Sequence, residues 1–434
     1  MPSLSFIYVF LPLSLFCYYI IPHKQRPLVL LLISLIYLFM VQPWGVPFAA
    51  AFILADYIAI RAMRRYVCVR KFLLGLVILK NLAVVVISGL IFDYGTMPLL
   101  LGASVYAINS TDAALTFYRA ESVDDNFAHF GLYCLFFPRL YAGPVQPYRE
   151  FTPQLEQIHF NFKCIILGFG QFVKGGLKVV LIAGQCAGLI LTISAFPPGD
   201  VTVLSLWSLA LLFAFWLYFT LSGYCDMAQG LGVMFGMFLP KNFYYPYQSH
   251  GFNDFTERFN NTLTAFLKRN IGALFIDKNS ALEILGLFLM GLLFGLWFGP
   301  RVNHLLWGGF LSVLIVIERC IGKRLSVLTP MIFRRIFTFC IILLSFAIML
   351  EQSALSGIDR IAAMLGLGGY AVYNEVIMYQ LASNLVLLVL AVFFSTSAMN
   401  QLTRWAQRVA PRVSGVVSAL INTALLGLLT ASIL

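Results

Sequence analysis

The chain is short of charge. Asp, Glu, Lys and Arg together supply 11% of its 434 residues, against roughly 25% in soluble domains. A soluble fold needs charged residues to cover its outside, so the length, enough for two or three soluble domains, cannot be read that way. Histidine is scarce too, with 5 in the chain. Eight cysteines occur, Cys17, Cys68, Cys134, Cys164, Cys186, Cys225, Cys320 and Cys340. None forms a Cys-x-x-Cys pair, and most sit in apolar runs, which excludes a disulfide framework or a thiolate metal site. No two His or Cys have metal-ligand spacing. No basic stripe with interleaved aromatics appears, so the net charge of +11 does not point to nucleic acid.

What is present is apolar. Hydrophobic residues make up 60% of the sequence, and the mean hydropathy is +0.88. This composition predicts an all-α polytopic membrane protein, with the bilayer as its first partner. A spanning helix needs about 20 mostly apolar residues. Candidate spans lie near 4–21, 27–43, 46–62, 72–92, 97–118, 164–194, 202–222, 281–299, 303–318, 332–350, 380–396 and 414–433, about 11 in all given the short or interrupted ones. The 164–194 stretch is expected to break at Gly175-Gly176. The opening segment is not expected to be a cleaved signal peptide, because no basic residue precedes it and no small-residue cleavage site follows.

Basic residues set the orientation. His23, Lys24 and Arg26 follow the first span, Arg61, Arg64, Arg65, Arg70 and Lys71 the third, and Arg319, Lys323, Arg324, Arg334 and Arg335 lie between later spans. The positive-inside rule makes these loops cytoplasmic and places the N-terminus outside. The whole of 1–434 is expected to form one membrane domain, with N-terminal helices over 1–120, a motif-bearing core over 121–320 and C-terminal helices over 321–434.

Two regions are too polar for lipid-facing helices. The first runs Leu135-Phe-Phe-Pro-Arg-Leu-Tyr-Ala-Gly-Pro-Val-Gln-Pro-Tyr-Arg149, with Glu150-Phe151 after it. Three prolines and two arginines suit either a cytoplasmic turn or a loop folded back under a cavity. The second, Ser222–Asp277, holds Asp226 inside an apolar run, a functional-site candidate by position. The less apolar stretch 224–276 is expected to include re-entrant or interfacial helices. Farther along, Phe252, Phe255, Phe259, Leu263, Phe266 and Leu267 recur at helical spacing. Glu257, Arg258, Asn261, Lys268 and Arg269 fill the other face, which predicts an amphipathic helix at an interface or over a cavity mouth.

These segments resemble, in order and nearly along the whole chain, the membrane-bound O-acyltransferase family, in the branch of alginate O-acetylases and the teichoic-acid D-alanylation membrane protein. The resemblance rests on Phe6–Pro22, on Asn109-Ser-Thr-Asp-Ala-Ala-Leu-Thr-Phe-Tyr-Arg119, and on Phe136-Phe-Pro-Arg-Leu-Tyr-Ala-Gly-Pro144 with Tyr148-Arg149 and Phe151. It continues through Ser222-Gly-Tyr-Cys-Asp-Met-Ala-Gln-Gly-Leu-Gly232, Pro240, Asn242-Phe243 and Tyr245-Pro-Tyr247, and ends on Gly295-Leu-Trp-Phe-Gly299 and Leu306-Trp-Gly308. It implies a ring of helices around a central tunnel in a bacterial plasma membrane. It implies that an acyl group is carried from a thioester donor, a substrate rather than a resident cofactor, to hydroxyls of an envelope or extracellular polysaccharide. An acyl-donor carrier and a periplasmic or extracellular transferase are the implied partners. Arg139, Tyr148, Arg149, Ser222, Tyr224, Asp226, Arg258 and Trp297 are the implied tunnel or substrate residues.

The family uses two histidines, one read as the general base that an alcohol of high pKa requires near neutral pH. Here Asn260 and Phe298 align with them, and neither accepts a proton at a useful pH. The family's usual segment between the two sites is also replaced, by Asn270-Ile-Gly-Ala-Leu-Phe-Ile-Asp-Lys278. His304 is the strongest substitute, although on a straight helix it would sit about 240° around and 9 Å along from Phe298 unless Pro300 breaks the helix. His250 would lie about 15 Å from Asn260 on a helix. His23, His129 and His159 read as solvated or structural, and Asp226 and Glu283 are weaker ionisable candidates. Two functions follow. One is an acyltransferase using His304 or a substrate-assisted path. The other is a catalytically inactive membrane module that conducts or presents an acyl donor, or serves as a partner subunit, and the Asn260/Phe298 pair favours it. A secondary transporter is a third reading, weakened by the lack of internal repeats.

Overall fold

A computed structural model describes residues 3–93, 102–119, 126–156, 161–275, 280–351, 354–409 and 424–433. Its regular elements are helices, and an isolated bridge joins Phe243 to Phe259. Among the described residues, seven helices are long and apolar enough to cross a membrane, or eight if Glu375–Ser383 and Leu385–Ser395, bent by 61°, form one broken span. Phe6–Ile20, Ala281–Leu296 and Ala424–Ile433 are apolar but shorter. The chain is thus a multi-pass membrane protein.

We number the helices used below as follows: α1 Phe6–Ile20, α2 Arg26–Val41, α3 Gly45–Arg65, α4 Arg70–Asp93, α5 Ala103–Tyr118, α6 Phe127–Leu135, α7 Tyr148–Glu156, α8 Phe162–Ser194, α9 Val203–Met234, α10 Phe252–Arg258, α11 Asn261–Leu267, α12 Ser280–Leu296, α13 Val302–Leu328 and α14 Met331–Leu350.

Several expected boundaries shift. The 164–194 stretch does not break at its glycines. It continues as α8 through a π-helical section, Lys178–Ala183, which absorbs the irregularity inside the helix. The glycines instead permit close approach: a Cβ at Gly223 of α9 would lie 2.7 Å from the Gly175 carbonyl oxygen, a small-residue contact typical of packed membrane helices. The span expected at 202–222 runs on through Met234, so Ser222–Met234 is regular helix rather than a re-entrant segment. The span expected over 97–118 is described only from Gly102, and α5 there is a helix of 16 residues that buries Asn109, Ser110, Asp112 and Thr116.

The chain divides into two compact units. The first comprises Met1–Val173 and Tyr224–Lys241, the second Lys174–Gly223 and Asn242–Ser432. In the first, α1, α2 and the 137–139 turn meet through Phe6, Phe10, Tyr37 and Phe137, with the Tyr37 and Phe137 rings 5.4 Å apart. Tyr18 and Tyr19 of α1 tie down the end of α9 by donating to the carbonyls of Phe235 and Met234, at 3.0 and 2.6 Å. In the second, α12 and α13 form a hairpin. It closes on glycines, because a Cβ at Gly291 or Gly308 would collide with the facing helix.

Candidate functional site

The proline-rich segment is no exposed turn. Phe136, Phe137, Leu140, Tyr148 and Phe151 are buried, and Arg139 is 1% exposed. Its guanidinium carbon lies 4.7 Å from the centre of the Phe151 ring and 5.1 Å from that of Tyr133, a cation–π arrangement strengthened by the loss of water. It donates from Nη2 to the Tyr133 carbonyl. Burial lowers the Arg139 pKa to about 10, which still leaves it cationic at neutral pH. Its Nε and Nη1 have no hydrogen-bond partner among the described residues. Gly143 lets the loop fold tightly over this side chain, since a Cβ there would meet the Arg139 Cβ at 2.6 Å.

The residue that organises the segment is Asp112 of α5, which lies within the Asn109–Arg119 motif but is not among the site residues expected from the sequence. It is 2% exposed. Its Oδ2 accepts from the Tyr148 backbone N–H at 2.8 Å, where α7 begins, and lies 3.2 Å from the Tyr133 hydroxyl. The same hydroxyl is 2.7 Å from the Gln146 carbonyl. Asn109 of α5 donates to the Tyr133 carbonyl at 3.2 Å. On another side of α5, Ser110 donates to Asp56 of α3 at 2.6 Å, and Lys80 of α4 pairs with the same oxygen at 3.0 Å. Position alone could have found Asp56, Lys80 and Asp112. The rule that marked Asp226, an ionisable residue inside an apolar run, applies equally to them.

Of the other predicted residues in the first unit, Tyr148 is buried as the first residue of α7, while Arg149 beside it is exposed and does not join Arg139. Tyr224 stacks on Tyr141 with ring centres 5.3 Å apart and planes 11° apart. Asp226 is half-buried on α9.

In the second unit Ser222 is buried, and its Oγ has no hydrogen-bond partner among the described residues. The expected amphipathic helix is two helices, α10 and α11. Its apolar face is buried as predicted, from Phe252 through Leu267. The break falls at Asn260, which adopts φ 56° and ψ 51°. This left-handed region is costly for most side chains and easiest for Gly, Asn and Asp. The turn lets Tyr244 N–H reach the Arg258 carbonyl at 3.0 Å and Asn261 N–H reach the Asn242 carbonyl at 2.9 Å. Asn242 Oδ1 then accepts from the backbone of Thr262 at 3.0 Å. Arg258 Nε bonds Asp254 at 2.6 Å, and Asp254 also pairs with His250 at 2.8 Å.

Phe298 occupies an aromatic nest. Its ring centre lies 5.3 Å from that of Trp307, 5.7 Å from Phe294 and 6.2 Å from Phe259. Trp307 is fully buried and donates to the Ser345 hydroxyl at 3.1 Å. Trp297 is half-buried at the end of α12. The straight-helix geometry drawn for His304 does not hold. Helix α12 ends at Leu296, Gly299 takes φ +138°, and His304 lies in the first turn of α13. The chain folds back, and His304 Nδ1 stands 3.2 Å from the Gly299 carbonyl. A carbonyl only accepts, so this bond holds the proton on Nδ1 and the basic lone pair on Nε2. Glu283 and His129 are half-buried elsewhere, His23 is exposed, and His159 lies outside the described residues. Among the described residues, no group of three His, Cys, Asp or Glu is placed to hold a metal ion.

A family model described as MBOAT, membrane-bound O-acyltransferase family, matches residues 19–357. A protein named probable alginate O-acetylase AlgI from Pseudomonas fluorescens is 30% identical over 360 residues, which cover 79% of this chain and 71% of the relative. A peptidoglycan O-acetyltransferase of Helicobacter pylori is 31% identical over 256 residues, 56% of this chain and 48% of that one. A teichoic acid D-alanyltransferase of Bacillus subtilis is 23% identical over 196 residues, 42% and 49% of the two chains. With the family model spanning most of its length and the polar segments folded as described, the chain belongs to the membrane-bound O-acyltransferase family.

Proposed function

We propose that this protein is an O-acyltransferase that moves an acyl group from a thioester donor to hydroxyls of a cell-envelope or extracellular polysaccharide. The likeness over 79% of the chain to a protein named for alginate O-acetylation carries the reading. His304 supports it as the candidate base, an imidazole whose Nδ1 stands 3.2 Å from the carbonyl of Gly299, the residue after Phe298. In the step, Nε2 removes the proton of the acceptor hydroxyl as its oxygen bonds to the thioester carbonyl carbon. The carbon–sulfur bond then breaks, and the leaving thiolate takes the proton back from the imidazolium, giving ester and thiol. The bacterial plasma membrane, an N-terminus outside, a ring of about 11 spans around a tunnel, a cytoplasmic acyl-donor carrier and an extracytoplasmic transferase partner all belong to this reading.

The test is the O-acyl content of the surface polysaccharide in cells with the protein, without it, and with His304→Ala. Acyl groups that depend on the protein and disappear with the alanine variant are the expected result. A polymer whose acyl content is the same with and without the wild-type protein would sink this reading and leave the non-catalytic module in its place.

A further inference from the structure

From Val376 to Leu434 the sequence has no Asp or Glu, and its basic residues are Arg404, Arg408 and Arg412. Arg412 lies outside the described residues. The other two lie on a helix of the second unit, α15 Ala398–Val409, which follows the apolar helix Leu385–Ser395. Thr396, at ψ 171°, turns the chain between them. Ser397 holds the corner: its N–H donates to Gln248 Oε1 at 3.3 Å, and its carbonyl accepts from the Gln401 N–H at 3.1 Å. With 12 residues, α15 is about 18 Å long, too short to cross a hydrocarbon core of roughly 30 Å.

The residues of α15 separate by face. At about 100° per residue, the sequence puts Met399, Leu402, Trp405, Ala406 and Val409 within one arc of about 120°. The polar residues, from Asn400 to Arg408, fill the opposite arc. Trp405 stands at the edge of the apolar arc, about 60° around from Arg408, and the two arginines are one turn apart, about 6 Å along the axis. Trp405 is 61% exposed and Met399 41%, and Gln401, Arg404 and Arg408 are exposed. An open apolar edge thus runs beside two cations on a helix that carries no carboxylate. A short helix with these two faces suits the plane of a membrane surface.

We propose that α15 lies in the headgroup layer and binds anionic phospholipid, with Arg404 and Arg408 on the phosphate oxygens and Trp405 at the acyl boundary. Charge selects the occupant. A guanidinium meets two phosphate oxygens at once. A zwitterionic headgroup brings an ammonium with each phosphate, and an anionic one does not. An indole that is apolar in body and polar at its N–H is suited to the same depth. Fixing the orientation of neighbouring spans requires only the arginines, so the exposed tryptophan beside them is what points to a lipid surface.

The test uses the full-length protein in phosphatidylcholine vesicles that carry dibrominated phosphatidylglycerol or, for comparison, dibrominated phosphatidylcholine. Bromine quenches an indole it touches, and subtracting the signal of Trp405→Phe isolates Trp405 from the other tryptophans. With about one lipid in five labelled, a fivefold preference per arginine should make quenching by the phosphatidylglycerol about three to four times that by the phosphatidylcholine. Arg404→Gln with Arg408→Gln should bring the two to equality. Gln401→Arg, added to that double variant on the same polar arc, should restore part of the excess, and such a rescue cannot come from misfolding. Equal quenching in the wild type, an excess that survives in the double variant, or no rescue would overturn the assignment. Absence of Trp405 quenching by either lipid would mean that a protein covers this face, and would overturn it as well. Inorganic phosphate should lower the excess no more than potassium chloride of equal ionic strength. A larger drop would make free phosphate, not lipid, the ligand.

Discussion

Around Asp112 the chain buries charged and polar groups and meets them with hydrogen bonds; around Phe298 it buries aromatic rings and leaves little charge to meet. In the first region a carboxylate of α5, a tyrosine of α6 and the first amide of α7 converge, and Arg139 lies against Tyr133 and Phe151. In the second, Phe259, Phe294 and Trp307 surround Phe298. A buried polar network is exacting, since a missing partner leaves an unsatisfied group, whereas an aromatic cluster tolerates exchange of similar volume. The contrast marks where a substitution should be costly and where one ring can be exchanged for another.

The largest effect is expected at Asp112. Asp112→Ala removes the acceptor of the Tyr148 amide and a carboxylate whose charge favours the buried Arg139 cation. Leaving a buried charge uncompensated costs about 3–5 kcal/mol, so this variant should lose most of its folded fraction in detergent, read as a melting temperature. Asp112→Asn keeps an acceptor oxygen and should cost about 1–2 kcal/mol. An Asp112→Ala protein as stable as the wild type would remove the contrast between the regions.

Phe298 comes next. Phe298→Ala strips a half-buried ring from the nest, and a cost of about 2 kcal/mol is expected, below the usual 3–5 for a fully buried Phe. Phe298→His keeps a ring but sets a polar group among aromatics, at about 1–2 kcal/mol. Its effect on polysaccharide acylation sharpens the comparison. Activity unchanged or raised fits a position now given over to packing, while complete loss would mean that the Phe298 ring itself serves the reaction.

Much of this contrast was legible in the sequence. The apolar excess announced the bilayer, the proline-rich segment left a cytoplasmic turn and a folded-back loop both open and proves buried, and the 252–267 spacing marked the face that is buried. Other features were hidden because they arise from contacts between distant segments. The break at Asn260 depends on pairing with Asn242 and Tyr244, 18 and 16 positions away. Asp112 is organised by Tyr133 and Tyr148, which no local pattern links to it. The fold-back that gives His304 its bond to Gly299 was signalled by Pro300, which allows a break but does not set where the side chain lands. Gly175 and Gly176 looked like a helix break, yet the π-helical section and the close approach of Gly223 turn them into a packing surface.

Asn260 tests whether the second region depends on backbone as well as rings. At φ 56° a β-carbon without local polar help is disfavoured by about 1–2 kcal/mol, so Asn260→Ala should cost about that much. Asn260→Gly should stay within about 0.5 kcal/mol, because glycine enters this region freely. Equal losses for both would mean that the Asn260 side chain, not its conformation, is what the turn requires.

The smallest effect is expected at Arg258, which came from the family resemblance as a substrate residue and which the structure sets in a surface pair. Its Nε lies 2.6 Å from Asp254, with the two side chains 32% and 19% exposed. A partly exposed i,i+4 pair contributes about 0.3–1 kcal/mol and weakens as salt rises. Arg258→Ala should therefore lower the melting temperature by no more than a few degrees, with the difference from wild type shrinking in high salt. Arg258→Lys should recover part of it, since an ammonium can still pair with Asp254 but lacks the planar fork of the guanidinium. Loss of polysaccharide acylation in Arg258→Ala at unchanged stability would move Arg258 from the helix surface to the substrate. The line between the two regions would then need redrawing, because the second unit would also hold a working charge.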